Sequence, residues 1–97
     1  MNNPDVVLMG LSENLNYLLL PMMNQLISDG LKAETIYTGN MSKKFKRADK
    51  IKASYAIIIG EEEVAKKIIK LKNLSSGYEE LMELNEAIKT IKKISNI

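Results

Sequence analysis

A short apolar run in the middle of the chain constrains the fold more than any other feature of the sequence. Residues 55–60 read YAIIIG, apolar at every position and mostly β-branched, and three glutamates follow at residues 61–63. The run is too short and too β-branched for a good helix, and an uninterrupted apolar run is typical of a strand covered on both faces. Such strands occur in α/β proteins, where helices pack on both sides of a sheet.

Other segments with the character of strands alternate with helical patterns along the chain, which predicts a three-layer α/β domain with a mixed, mostly parallel sheet. Residues 78–84, YEELMEL, fit either a short edge strand or the start of the last helix. Residues 61–67 fit one helical turn or a loop. The predicted strands, besides the central one, are residues 5–10 (DVVLMG), 33–38 (AETIYT) and 67–74 (KIIKLKNL).

Apolar residues spaced by three and four positions predict three helices. The first ends at Gly30 and contains Pro21, so that either this helix is kinked or its regular part begins near the proline. The predicted N-caps are Ser12 for the first helix, Asn40 or Ser42 for the second and Asn85 for the third, whose apolar stripe is Ala87, Ile88, Ile91 and Ile94.

The composition excludes several classes of chemistry. The 97 residues fit one domain, 1–97, and they include no cysteine and no histidine, which removes thiolate metal sites and the usual general base. No apolar run approaches the roughly 20 residues of a membrane span. The N-terminal MNNPDVV lacks the pattern of a secretory signal, so we expect a cytoplasmic protein without membrane contact.

Most of the positive charge lies on one short segment. Residues 43–52, KKFKRADKIK, carry six basic side chains and one acidic side chain, whereas the net charge of the whole chain is only +2. The segment predicts a helix with a cationic outer face, which suits either a phosphate backbone or plain solvation. Tyr37, just upstream, is either a base-stacking residue or a half-buried strand residue. The candidate phosphate contacts are Lys43, Lys46, Arg47 and Lys50.

The glutamates after the central strand lie where α/β sheets bind ligands, because binding sites form outside the carboxyl ends of parallel strands. A metal site is one interpretation of Glu61–Glu63, but no partner acid cluster is visible. Acids facing the dipole of a following helix are the alternative. The segment VVLMGLSEN, residues 6–14, has one glycine, too few for a dinucleotide fingerprint, and lacks the ending of a phosphate-binding P-loop.

The order of these segments resembles the C-terminal anticodon-binding domain of class II aminoacyl-tRNA synthetases, and it is most similar to that of histidyl-tRNA synthetase. The similar pieces run through residues 42–77, SKKFKRADKIKASYAIIIGEEEVAKKIIKLKNLSSG, and the first half fits as well. They include Ala48-Asp49-Lys50, the Ile-Ile-Gly-Glu segment ending at Glu61, and Lys72 before Leu74.

This resemblance implies a five-stranded mixed sheet surrounded by three helices, contact with the anticodon stem-loop of tRNA-His, and a tRNA-facing position for Gly60 and Glu61. It adds Lys72 to the candidate contacts. Glu61 then either reads a base edge or caps the following turn. The parent enzyme would be an ATP-dependent ligase and a homodimer, using ATP and magnesium in a catalytic domain absent from these 97 residues, so we expect no catalytic activity and no cofactor for this chain alone.

Two family glycines are replaced here by Lys52 and Lys67, a usual aspartate is Asn73, and Pro21 is unusual within the first helix. The same fold also occurs in synthetase-like regulatory proteins, so a protein–protein interaction module without tRNA recognition is the alternative function. A small α/β enzyme fits less well, since there is no phosphate loop, histidine or cysteine.

Overall fold

The computed structural model describes residues 3–95, and the side chains of residues 3–93. The described chain forms five strands, four α-helices and one 3₁₀ segment. In chain order these are β1 (Val6–Gly10), the 3₁₀ segment (Glu13–Leu18), α1 (Leu19–Ser28), β2 (Ala33–Ile36), α2 (Met41–Lys50), β3 (Tyr55–Ile59), α3 (Glu61–Ala65), β4 (Ile69–Asn73), β5 (Glu79–Met82) and α4 (Leu84–Ser95).

The strands form one sheet in the order β2-β1-β3-β4-β5. β1 pairs in parallel with β2 and β3, whereas β4 pairs antiparallel with β3 and with β5. The five-stranded α/β fold is therefore confirmed, but the sheet is evenly mixed, not mostly parallel. The nine residues 60–68 that join β3 to β4 are fewer than the dozen or more that a parallel crossover needs, so β4 runs antiparallel.

Two apolar clusters lie on opposite faces of the sheet. On one face α1 and α4 pack against alternate residues of the strands, such as Leu8, Ile57 and Leu71. On the other face α2 packs through Ala48 against the intervening residues, such as Met9. All five residues of β1 and all five of β3 are buried, which confirms that the YAIIIG strand is covered on both sides. The short α3 makes four helices where the resemblance implied three.

The first helical region has the looser first turn that was one of the two alternatives for Pro21. A 3₁₀ segment ends at Leu18, and Pro21 lies in the first turn of α1, where a missing N–H leaves no hydrogen bond unmade. Ser12 is at the N-cap position of the 3₁₀ segment, as predicted, but its side chain makes no capping hydrogen bond. Gly30, at φ 93°, ends the helical region as predicted.

The caps of the later helices are partly as predicted. Asn40 caps α2, because its side-chain oxygen accepts a hydrogen bond from the Lys43 N–H at 2.9 Å. Asn85 is not a cap: α4 begins at Leu84, and Asn85 lies in its first turn, where its Oδ1 accepts from Gln25 Nε2 of α1. Ala87, Ile88 and Ile91 of the apolar stripe are buried, while the side chain of Ile94 lies outside the described residues.

Two turns place lysines in the left-handed backbone region. Lys52 follows α2 at φ 59°, and Lys67 follows α3 at φ 58°. At both positions the resemblance implies glycine, the residue that adopts this conformation without steric cost. The two lysines adopt the left-handed backbone that favours glycine.

The hairpin between β4 and β5 turns at residues 74–78. Gly77, at φ 80°, donates its N–H to the carbonyl of Asn73 at 2.8 Å. The side-chain oxygen of Asn73 accepts from the N–H groups of Ser75 and Ser76, at 2.9 and 3.1 Å. Asn73, at a position where the resemblance implies aspartate, thus supplies the acceptor oxygen that the turn uses.

Candidate nucleic-acid interface

The outer face of α2 carries four exposed cations. Lys43, Lys46 and Lys50 lie opposite the buried Ala48 by helical spacing, Arg47 lies beside them, and all four are exposed. Within residues 3–93 none of them has an ion-pair or hydrogen-bond partner for its side chain. No acid stands in the first turn of α2, and Lys43 lies there, although a cation near a helix N-terminus is unfavourable. The cationic face predicted from the sequence is therefore present and available to an anionic ligand.

A fifth cation of the segment, Lys44, faces inward. Its side chain is 2% exposed, and its ammonium donates a hydrogen bond to the carbonyl of Gly10 at 2.8 Å. Lys44 therefore does not belong to the outer face of this helix; it ties the first turn of α2 to the end of β1. The signal was in the spacing, since Lys44 lies four residues before Ala48, on the apolar stripe of the helix.

A groove of about 450 Å³ separates α2 from β4. Lys46 and Asp49 line it from the helix side, and Lys72 lines it from the strand side. The ammonium of Lys72 lies 4.7 Å from the centre of the Phe45 ring, which packs against the core and also lines the groove. The structure thus brings Lys46 and Lys72 together beside an aromatic ring. We call this space the upper lobe, because the groove continues into a second space past the end of α2.

The alternation of β4 explains why lysines face α2. Ile69 and Leu71 point into the core on the α1–α4 side, so Lys70 and Lys72 point to the other side. There both ammonium groups approach Glu79 of β5, at 3.8 and 3.4 Å. The ion-pairing side chains are about a quarter to two-fifths exposed, and such pairs are weak. The ion pair with Glu79 therefore positions the Lys72 side chain but is weak enough for a stronger anionic ligand to replace it.

The glutamates after β3 form the first turn of α3. Gly60 is the N-cap, and its N–H donates to the carboxylate of Glu63 at 2.8 Å. The capping acid is therefore Glu63, and the interpretation of Glu61 as the cap is wrong. Acids in a first turn are stabilised by the helix dipole, which explains why the buried strand ends on negative charge. Glu61 is exposed, and its carboxylate has no partner in the described structure.

Gly60 is closely surrounded. A Cβ at this position would lie 2.6 Å from Leu11 Cδ1 and 2.7 Å from the capping oxygen of Glu63. Both atoms are ends of flexible side chains, so a larger residue would displace the cap before it displaced the backbone. Glycine at this position therefore allows the side chains of Leu11 and Glu63 to lie close to the backbone where β3 ends.

The predicted site residues lie in three places: the outer face of α2, the groove, and the edge where the parallel strands end. Because β1, β2 and β3 are parallel, Tyr37, Gly60 and Glu61 all follow strand ends at the same edge of the sheet. Tyr37 lies just outside β2, is 39% exposed, and accepts a hydrogen bond at its carbonyl from Asn16 Nδ2. Lys46 and Lys72 lie instead in the upper lobe, which no residue of α3 lines.

α2 begins at the Gly60 edge of the sheet, where Lys44 bonds to Gly10, and ends at the opposite edge, beside the start of β3, so only its first turn shares an edge with Gly60. α2 packs on one face of the sheet, and Val64 of α3 packs on the other. In the part of the chain that the structure describes, no three acidic side chains are placed to hold a metal ion. Over the same residues no helix has the length and apolar character needed to cross a bilayer.

These features define a small three-layer α/β domain with a cationic groove on one face of its sheet. The sequence profile of the anticodon binding domain family matches residues 5–94, and the chain belongs to that family. The chain is 34% identical, over 94 residues, to the histidine–tRNA ligase of Finegoldia magna, an alignment that covers 86% of the chain and 22% of that protein.

Solved structures agree with this assignment. The histidyl-tRNA synthetase of Nostoc superposes with a TM-score of 0.87 at 29% identity, covering 95% of the chain and 22% of the synthetase. The RNA-binding domain of threonyl-tRNA synthetase from Cryptosporidium parvum superposes with a TM-score of 0.86, covering 95% of the chain and 24% of that one; at 19% identity it supports the fold alone. The chain spans about a fifth of the length of the curated relatives it matches.

Proposed function

We propose that this domain binds the anticodon stem and loop of a tRNA, and that the tRNA is tRNA-His. The observation that carries the proposal is the groove between α2 and β4, where Lys46, Lys72 and the Phe45 ring lie together. Three further cations on the outer face of α2 have no side-chain partner within residues 3–93. Family membership supplies the class of ligand, and the names of the relatives supply the identity of the tRNA.

The side chains divide the work of binding. Lys43, Arg47 and Lys50 on the outer face of α2, with Lys46 and Lys72 in the groove, hold phosphates of the RNA backbone. Tyr37 stacks on an unpaired base. Glu61, an acceptor without a partner in the described structure, reads N–H donors on a base edge, since a carboxylate beside phosphates is otherwise unfavourable.

In a longer protein the domain holds tRNA for charging by a separate catalytic domain, an ATP- and magnesium-dependent ligase that acts as a cytoplasmic homodimer. The 97-residue chain itself binds RNA and catalyses no aminoacylation. Amino-acid-dependent ATP–pyrophosphate exchange by the purified chain, above a blank, would contradict this.

The test is a titration of the domain with tRNA-His and with non-cognate tRNAs at several salt concentrations. We expect a dissociation constant on the order of 10⁻⁴ to 10⁻⁶ M, the usual range for binding through phosphates. Replacing Lys43, Lys46 and Lys50 together by alanine should weaken binding of every tRNA and flatten the salt dependence. A matched triple variant of Lys66, Lys89 and Lys93, which removes the same charge from exposed positions on α4 and after α3, should bind more tightly than the α2 variant.

Glu61→Gln tests base reading separately. It should change the affinity for tRNA-His more than the affinity for non-cognate tRNA, because the acceptor pattern changes while the phosphate contacts remain. If the α2 variant and its matched control bind every tRNA equally well, with equal salt slopes, the cationic face is only solvated. The protein–protein interaction module is then the better interpretation.

A further inference from the structure

The groove beside α2 continues past the end of the helix. Asp49 and Leu74, which line the upper lobe, also line a second space of about 450 Å³. We call this the lower lobe; Lys52, Ser54, Asn73 and Ser75 surround it. Since α2 is ten residues and so about 15 Å long, the groove along its flank is longer than one nucleotide.

We propose that the lower lobe is a second phosphate-binding subsite for the RNA, with Lys52 as its cation. The inference rests on the proposed function, since it extends the RNA path beyond the upper lobe. The candidate contacts predicted from the sequence do not include Lys52 or any other residue that lines only the lower lobe.

The position of Lys52 just after α2 fixes its backbone and exposes its side chain. Its N–H donates to the carbonyl of Asp49 at 3.1 Å, so the end of α2 fixes its backbone in the left-handed region. Its side chain is exposed and has no ion-pair or hydrogen-bond partner within residues 3–93. The hydroxyl groups of Ser54 and Ser75 likewise make no hydrogen bond there, which leaves two neutral donors beside the cation.

Asp49 divides the groove into two subsites. Asp49 lines both lobes, between Lys46 and Lys72 on one side and Lys52 on the other, and its negative charge repels a phosphate at the junction. An RNA strand along the groove therefore places phosphates on either side of Asp49. At the junction it places a hydrogen-bond donor, a ribose 2′-hydroxyl or a base N–H, against the carboxylate. An acid in the last turn of a helix is unfavourable to the dipole, and a donor from the ligand compensates for it.

The chain offers a matched pair of variants for the test. Lys52→Gly and Lys67→Gly each remove one positive charge, and each places glycine where the backbone is left-handed, at φ 59° and 58°, so neither strains the fold. Lys67 lies at the other end of β3, beside an apolar groove lined by Leu18 and Met22. The pair therefore separates position in the groove from net charge and from backbone effects.

The probe is a fluorescein-labelled RNA hairpin with the anticodon stem and loop of tRNA-His, titrated by anisotropy at a series of KCl concentrations. Lys52→Gly should weaken binding and reduce the steepness of the log–log salt dependence by about 0.7 to 0.9, the value for one lost phosphate contact. Lys67→Gly should retain the slope of the unmodified chain.

If the unmodified chain binds and the two variants share one salt slope, the second subsite is wrong while the proposed function stands. If the unmodified chain binds no RNA at any salt concentration, the proposed function fails and the subsite fails with it.

Discussion

The two halves of the sheet differ in how they are covered. In the parallel half, every residue of β1 and β3 is buried between α2 on one face and α1 and α4 on the other. In the antiparallel half, three of the four residues of β5 are exposed, and Lys72 of β4 lines the groove beside α2. One helix covers only part of a five-stranded face, and the uncovered part becomes the groove.

The difference shows how the apolar core and the exposed cationic groove are divided between the strands. The buried strands supply the apolar area that holds the domain together. The antiparallel half supplies side chains that need not be buried, and its alternation places Ile69 and Leu71 in the core while the lysines between them face the groove. β4 therefore contributes side chains both to the apolar core and to the groove.

The largest expected effect comes from breaking the parallel half. Ile57→Ala on β3 removes a fully buried side chain and should lower the free energy of unfolding by about 2–5 kcal/mol. Leu81→Ala on β5, where the side chain is 53% exposed, should change it by no more than about 0.5 kcal/mol. Urea denaturation of both variants measures the difference, and equal losses would show that β5 belongs to the same cooperative core.

The sequence was sufficient for the parallel half and not for the antiparallel half. Continuous apolar runs such as YAIIIG predict buried strands without reference to distant residues, and both parallel neighbours of β1 were found. The direction of β4 depends on the length of the connection from β3, and the pattern of residues 67–74 alone does not contain it. Whether residues 78–84 start a helix or form β5 is decided by pairing with β4.

The site shows the same limit. The cations of α2 were predicted because helical spacing is local. That Lys46 and Lys72 line one groove depends on how a helix packs against a strand, and the two lysines are 26 positions apart in the chain. The cap on Gly60 was assigned to Glu61 as an alternative, although the capping-box spacing of three residues favours Glu63, as the structure shows. Lys44 was counted only among the six basic residues of the segment, and its inward position was not predicted.

A second prediction sharpens the comparison within α2, where adjacent lysines belong to different regions. Lys44→Ala leaves the buried carbonyl of Gly10 without its donor and should lower the free energy of unfolding by about 1–3 kcal/mol. Lys43→Ala, at the exposed neighbour, should stay within about 0.5 kcal/mol. Thermal denaturation of the two variants measures the difference in stability. If Lys43→Ala is the more destabilising variant, the hydrogen bond from Lys44 to Gly10 does not stabilise the contact between α2 and β1.

The smallest expected effect concerns the two left-handed lysines. A left-handed residue with a Cβ costs about 1–2 kcal/mol, and glycine loses about 0.5–1 kcal/mol more backbone entropy on folding. Lys52→Gly and Lys67→Gly should therefore each raise the free energy of unfolding by roughly 0.5 kcal/mol. The shifts in urea midpoint should be alike, since the same backbone strain is relieved in both halves of the sheet, and a loss of stability in either variant would refute the strain.

The short turn at residues 74–78 has a consequence for the order in which the chain folds. β4 and β5 are joined by five residues, and a hairpin of this kind closes within about 1–10 μs. Pairing of β1 with β3 closes a much longer loop, since Val6 pairs with Tyr55, 49 positions further along the chain. Closing that loop costs more chain entropy before any contact offsets it, so we expect the β1–β3 pairing to limit the folding rate. The strands that line the groove would then come together before the core that supports them.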